Sequence, residues 1–292
     1  MTALCCASLA GQELRPDHRA RVDAALPRKA PATPKAPRRM LVTSLTMRDG
    51  KPVRGSSAAA IPPANYALQQ MGKVTGAYEA VFSDDIEMFR PANLRQFDAI
   101  CFNNTLGVLF DDPELRAPLL GFVEGGKGFV GIHDAIATFV QYPKYDQWPE
   151  FGRMIGGTEN GGHPWNGELM TIRVEDPESP ITAAFGRADF QIADQAFQLQ
   201  EPVFRDRMHV LLRIDAEKSG GGRRILPVRK QDLDFPMSWI RRHGKGRVFY
   251  TGFGHGPEVF WNPQMLAHLL AGIQYALGDL AADDTPDGRR TR

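Results

Sequence analysis

Gly125-Gly126-Lys127-Gly128-Phe129-Val130-Gly131-Ile132-His133-Asp134-Ala135 is the stretch whose reading decides the fold. A glycine-rich turn leads into a short apolar run, and the run ends on a polar residue followed by a small one. An uninterrupted apolar run of this length reads as a strand buried on both faces. The Gly-Lys-Gly element precedes the strand, whereas a phosphate-binding loop follows a strand and opens a helix, so it is not a nucleotide cradle. Gly131-Ile132-His133-Asp134-Ala135 has the form of a nucleophile elbow, a sharp turn between small residues that exposes one side chain. The exposed residue here is His133 rather than serine or cysteine, which offers general-base, general-acid or metal-ligand chemistry.

Similar punctuation extends to both sides. Met40–Leu45, Tyr78–Phe82 and Phe97–Phe102 read as strands, with helices over residues 64–72 and 113–124 between them. Strands alternating with helices imply crossover units and a mainly parallel sheet covered on both faces. Segments 168–176, 190–199 and 208–214 predict strands in a more antiparallel arrangement. Residues 218–224 (KSGGGRR) read as a flexible loop. Met237–Ile240 and Gly246–Thr251 predict strands around a Gly-Lys-Gly turn. A last helix begins with Asn262 as its cap and Pro263 in its first position. The expected body is one α/β domain over residues 40–279, elaborated in its C-terminal half.

Composition fits this body. Apolar residues make up 42% of the 292-residue chain and charged residues 24%, enough for a core without disulfides. Three cysteines (Cys5, Cys6, Cys101), two of them adjacent, make neither a disulfide framework nor a metal knuckle. Cys101 lies in a buried-type strand with no local base and is not expected to be a nucleophile. No run is long enough for a membrane-spanning helix. A net charge of +1 argues against nucleic acid as a partner.

The charge is uneven. Residues 1–40 hold eight Lys/Arg and three acids, and the rest is mildly acidic, which suits a small neutral ligand. Residues 1–39 are expected to be a disordered or processed segment and a Pro/Arg-rich linker, and residues 280–292 a disordered tail. Residues 1–12 read equally as the end of an export signal or as a terminus without structure. That leaves two compartments open, the cytoplasm and the periplasm.

Ligands of parallel α/β sheets bind at the carboxyl ends of strands. Three histidines fall there: His133, His163 in the Gly156–Trp165 loop, and His255 after Thr251. Asp194, with Gln195, follows a predicted strand and enters the same cleft, where a carboxylate can orient a histidine. His133, His255 and Asp194 are the catalytic candidates, with Asp134 and Glu159 weaker ones. His163, Trp165, Trp239, Arg247 and Tyr250 are the substrate-binding candidates, Trp165 as a platform for a sugar ring. His133, His163 and His255 are also a candidate metal set, since three imidazoles suit a divalent metal such as zinc. Their spacing is not a local metal motif, and the cofactor stays open.

These motifs resemble the ThuA-like (trehalose utilisation) family. The resemblance is carried by Gly125–His133, by Gly156-Gly157 through His163-Pro164-Trp165, and by Asp194-Gln195-Ala196-Phe197. Trp239, Gly244–Thr251 and Gly254-His255 complete it. It implies a class I glutamine amidotransferase-like fold, a flavodoxin-like three-layer sandwich. In true amidotransferases the elbow presents a cysteine; His133 stands there, so no glutaminase activity is expected. The resemblance further implies a small carbohydrate as partner, and sugar or 3-keto-sugar chemistry of an isomerase, lyase or hydrolase kind. Two positions depart from the family pattern. Gly55, within Val53-Arg54-Gly55-Ser56-Ser57, aligns with a histidine, and Gln195 with a glutamate. A carbohydrate-binding protein without catalysis is therefore the alternative reading.

Overall fold

The computed structural model describes residues 13–141, 148–200, 205–220 and 234–289. Five short strands form its parallel half: β1 (Arg39–Thr43), β4 (Glu79–Phe82), β5 (Ala99–Asn103), β6 (Gly128–Ile132) and β11 (Gly246–Thr251). Four more extend the sheet: β7 (Trp165–Val174), β8 (Phe190–Ala196), β9 (His209–Ile214) and β10 (Phe235–His243). The order across the nine strands is β4-β1-β5-β6-β11-β10-β9-β7-β8. Pairing is parallel from β4 through β11 and antiparallel from β11 through β8. A separate hairpin, β2 (Met47–Arg48) and β3 (Lys51–Pro52), rises after β1.

Strand periodicity explains the layers. Successive side chains point to opposite faces, so an all-apolar strand feeds two cores. Met40 and Val42 of β1, Cys101 of β5, Val130 and Ile132 of β6 and Phe249 of β11 enter one core. Leu41, Ile100, Phe102, Phe129, Val248 and Tyr250 enter the other. The first is covered by α2 (Ile61–Thr75) and α6 (Pro263–Ala276), the second by α3 (Pro91–Leu94), α4 (Pro113–Glu124) and α5 (Pro149–Ile155). The three-layer α/β sandwich expected from sequence is the fold observed. α2 runs three residues beyond the predicted span at each end: Pro62 and Pro63 sit in its first turn, where proline costs no hydrogen bond, and Gly76 ends it at φ 68°. Asn262 caps α6 as expected, its Oδ1 accepting from the backbone of Gln264 and Met265.

Two expectations are corrected. Residues 13–39 are not an unpacked linker. They carry a helix, α1 (Pro16–Ala25), whose Val22 and Ala25 are buried in the core beside Leu26. The strap is then tied to α6 and the turn after it. Ala32 exchanges both backbone bonds with the Gln274 amide (2.9 and 2.7 Å), and Arg38 grips the buried Asp279 through Nη2 at 2.7 Å. Proline-rich composition concealed this, because the fixation comes from side chains far away in sequence. The C-terminal tail is likewise anchored. Tyr275 and Arg242 hold Asp284, while His209 and Arg205 hold Asp287. Residues 1–12 and 221–224 of the expected loop lie outside the described residues.

His268 of α6 is fully buried between Ser238 Oγ (2.9 Å) and the Ile181 carbonyl (2.8 Å). Burial lowers its pKa to about 4. An unfolded histidine titrates near 6.5, so between the two values the unfolded chain binds a proton that the native one refuses. Stability is therefore full above pH 6.5 and falls as the pH drops toward 4, by about 3 kcal/mol from this group. Thermal melts from pH 4 to 7 should show that loss, and His268→Gln should flatten it. Arg38→Ala strands Asp279 in the interior and should cost about 3 kcal/mol in urea unfolding.

Candidate functional site

The site gathers at the carboxyl ends of β6 and β11, and its centre is a strained residue. His133 follows β6 directly and adopts φ 47°, a left-handed conformation rare outside glycine. Two bonds hold it there. The Tyr250 hydroxyl donates to the His133 carbonyl at 2.9 Å, and His133 Nδ1 lies 2.7 Å from the Gly252 carbonyl. A carbonyl only accepts, so Nδ1 carries the proton and the neutral ring keeps its lone pair on Nε2. Gly131 is small for a reason: a Cβ there would lie 3.0 Å from both the Tyr250 ring and Ile155.

His133 Nε2 is buried without a hydrogen-bond partner. Asp134 Oδ1 is 3.4 Å away without forming one. Burial lowers the His133 pKa, against the charge of Asp194, the Gly252 carbonyl and the Gln195 side chain. An unpaired basic nitrogen in the interior forgoes a bond that most buried polar atoms make, which marks it for a function.

The His255 ring stands edge-on to His133 at 5.4 Å between centroids. Its pKa is lowered by burial and by His133, with Asp134 opposing. Its loop is shaped by Asp194 on β8, whose Oδ2 accepts from Gly254 N at 2.7 Å and Oδ1 from Gly256 N at 3.0 Å. Burial raises the Asp194 pKa, against His133 and these backbone donors. His163 joins through Phe197, which lies 4.7 Å from the His133 ring and 5.1 Å from the His163 ring. Burial lowers His163, and the other two histidines add to that.

Of the expected residues, then, His133, His163, His255 and Asp194 converge. Among the described residues no three His, Cys, Asp or Glu side chains form a group that could hold a metal ion, so the expected set His133, His163 and His255 does not make one. Trp239 and Tyr250 lie beneath the site rather than lining it. They stack at 4.2 Å, and Trp239 Nε1 donates to the Ile155 carbonyl at 2.8 Å. Trp165 is buried, its ring edge-on to Phe235 and its Nε1 donating to Gly220 O at 3.0 Å, so no sugar platform is open there. Arg247 sits at the opposite end of the sheet, at the start of β11 beside Gly128 and Gly278. Glu159 is fully buried and bonds the Gly161 backbone. Cys101 is buried in β5, and burial pushes its thiol far up, away from nucleophilic use.

Sequence reasoning underrated Asp134 and missed Ser57. Asp134 is 2% exposed, and burial pushes its pKa up to about 6 while the Ser57 bond and His255 pull against that. Ser57 Oγ donates to Asp134 Oδ2 at 2.6 Å. Ser57 belongs to the segment in which Gly55 stands where a histidine was expected, and a Cβ at Gly55 would lie 2.8 Å from Thr46 Oγ1. Phe197 was quoted only as part of a motif, and nothing in its spacing marked it as the half-buried ring over two histidines.

Fold and site define a three-layer α/β protein with an imidazole at the elbow. The family model described as trehalose utilisation matches residues 53–276, and the chain belongs to that ThuA family. Solved structures agree on the fold. A ThuA-like protein from Bacteroides uniformis is 20% identical with a TM-score of 0.63, covering 84% of this chain and 93% of that one. One from Parabacteroides merdae is 16% identical with a TM-score of 0.58, covering 85% and 93%. A cytoplasmic protein from Salmonella typhimurium is 11% identical with a TM-score of 0.51, covering 80% and 97%. No protein of curated function matches the sequence. Family membership supports a carbohydrate-related role. No described helix is long and apolar enough to cross a membrane.

Tyr250→Phe leaves the buried His133 carbonyl unsatisfied. It should lower stability by about 1–3 kcal/mol in denaturant unfolding and broaden the His133 ring signals in NMR spectra, while Tyr275→Phe leaves those signals unchanged.

Proposed function

We propose that this protein acts on a neutral sugar or 3-keto-sugar through imidazole acid–base chemistry. The observation that carries the reading is His133, held in a left-handed turn with one ring nitrogen committed to Gly252 and the other unpaired. A carbonyl at C3 acidifies the C–H bonds on either side of it. His133 Nε2 would take one such proton, and the C–H electron pair would move onto the carbonyl oxygen as an enediolate. His255 or Asp134 would supply a proton to that oxygen or to the neighbouring carbon, giving isomerisation. Where a glycosidic oxygen sits β to the carbonyl, the electron pair would instead expel it, His255 or Asp134 giving its proton to the departing oxygen, which completes elimination. Asp194 positions His255 through the backbone of its loop and touches no substrate in this scheme. Phe197 offers the apolar face that Trp165 does not.

Binding without turnover is the second reading. It is favoured by Gly55, which removes an imidazole, and by Gln195, whose amide donates to Asn166 Oδ1 at 2.8 Å and offers no carboxyl proton. Turnover of 3-keto-glucose and 3-keto-trehalose separates the two. His133→Ala should lower kcat by roughly 10²–10⁴-fold and His255→Ala by a similar order, with sugar affinity kept. Wild-type rates in both variants would end the catalytic reading. Sugar binding with no turnover by the native chain would establish the second.

A further inference from the structure

The sheet changes winding direction between β1 and β5. From β1 the chain crosses through α2 to β4 on one side, then returns past β1 to β5 on the other. The crevice outside the carboxyl ends of two such strands is where open α/β sheets take ligands. At this end of the two strands stands a row of uncharged hydrogen-bonding side chains, none of which the chemistry above uses. Asn103 ends β5 and donates through Nδ2 to Asn65 Oδ1 of α2 at 2.9 Å and to Ser44 Oγ at 3.3 Å. Asn104 follows at φ 55°, another left-handed non-glycine residue. Its Nδ2 donates to Asn103 Oδ1 and to the Gly254 carbonyl, each at 3.2 Å. That last bond joins the row to the loop of His255.

The row is polar but unsaturated. Asn104 is 1% exposed, and its Oδ1 has no partner. The Asn65 amide nitrogen makes no bond among the described residues, and Asn65 and Ser44 are only half-buried. A charged neighbour is Asp84, whose Oδ1 accepts from Thr43 Oγ1 at 2.9 Å and from Ser44 N at 2.8 Å. A carboxylate at the rim repels anions, while amide and hydroxyl groups exchange bonds with hydroxyls in both directions. Aligned amides with a strained backbone and an unpaired oxygen are costly to the fold alone, which is the mark of a site.

We infer that Ser44, Asn65, Asn103 and Asn104 form a subsite for adjacent hydroxyls of a neutral, unphosphorylated sugar, placed beside the histidine centre. The inference rests on the carbohydrate reading above and adds the recognition that the histidines do not provide. Asn65 and Ser44 make the outer contacts. Asn103 and Asn104 fix their orientation and couple the subsite to the Gly254–His255 loop.

The test is calorimetric binding of D-glucose, trehalose and 3-keto-glucose to the full chain, beside glucose 6-phosphate and trehalose 6-phosphate. The expected result is binding of at least one neutral sugar and weaker binding of its phosphate. Asn65→Asp keeps the oxygen that Asn103 needs and removes the donor, so it should weaken the neutral sugar at least tenfold. Ser44→Ala should do so by a smaller factor, with melting temperatures near wild type for both. Wild-type affinity in both variants would overturn the subsite while leaving the carbohydrate reading intact. Tighter binding of a phosphate than of its parent sugar would overturn the neutral class. No binding of any neutral sugar by the native chain would overturn the subsite and the carbohydrate reading together.

Discussion

The site depends on one backbone constraint, the left-handed turn at His133. Without it the imidazole would continue the strand and enter one of the two cores. Two bonds from β11 and its loop impose the turn: the Tyr250 hydroxyl on the His133 carbonyl, and the Gly252 carbonyl on Nδ1. They also settle the ring's chemistry, because committing Nδ1 leaves Nε2 as the free base. Strain at a single residue persists only where its surroundings over-determine it. Here the surroundings extend outward from Tyr250 to Trp239 stacked on it, and from Trp239 to the end of α5.

The antiparallel half of the sheet has a related task. β8 carries Asp194 into the centre, where its two oxygens fix the backbone of Gly254 and Gly256 and so place His255. The segment after β8 brings Phe197 over His133 and His163. The parallel half of the sheet supplies the elbow, and the added strands supply what surrounds it. Among the described residues the elbow holds an imidazole, and the one cysteine, Cys101, lies buried in β5. Family membership supports a carbohydrate-related role.

Much of this was legible in the sequence. The apolar runs at β1, β5, β6 and β11 gave both cores, because a strand buried on two faces needs no partner to be recognised. The elbow was legible because small residues must flank a sharp turn, and His133 and His255 were found by their positions after strands; His163 instead precedes β7 and Asp194 lies within β8. What failed was anything settled by distant partners. Trp165 and Tyr250 look alike in sequence as polar-tipped aromatics, yet one fills the interior against Phe235 and the other props the elbow. Arg247 was read as site-facing, but it starts its strand rather than ending it. Residues 13–39 looked unstructured because Gln274 and Asp279, which fix them, lie some 240 positions away. Ser57 was invisible for the same reason, its partner Asp134 lying 77 positions away.

The most direct test of the central claim is a nitrogen-15 NMR measurement of the His133 ring near pH 7, assigned by comparison with His133→Gln. The account predicts a neutral ring protonated on Nδ1, with an Nε2 resonance typical of an unprotonated nitrogen that shifts when a neutral sugar binds. A ring protonated on Nε2, or a doubly protonated imidazolium, would contradict it.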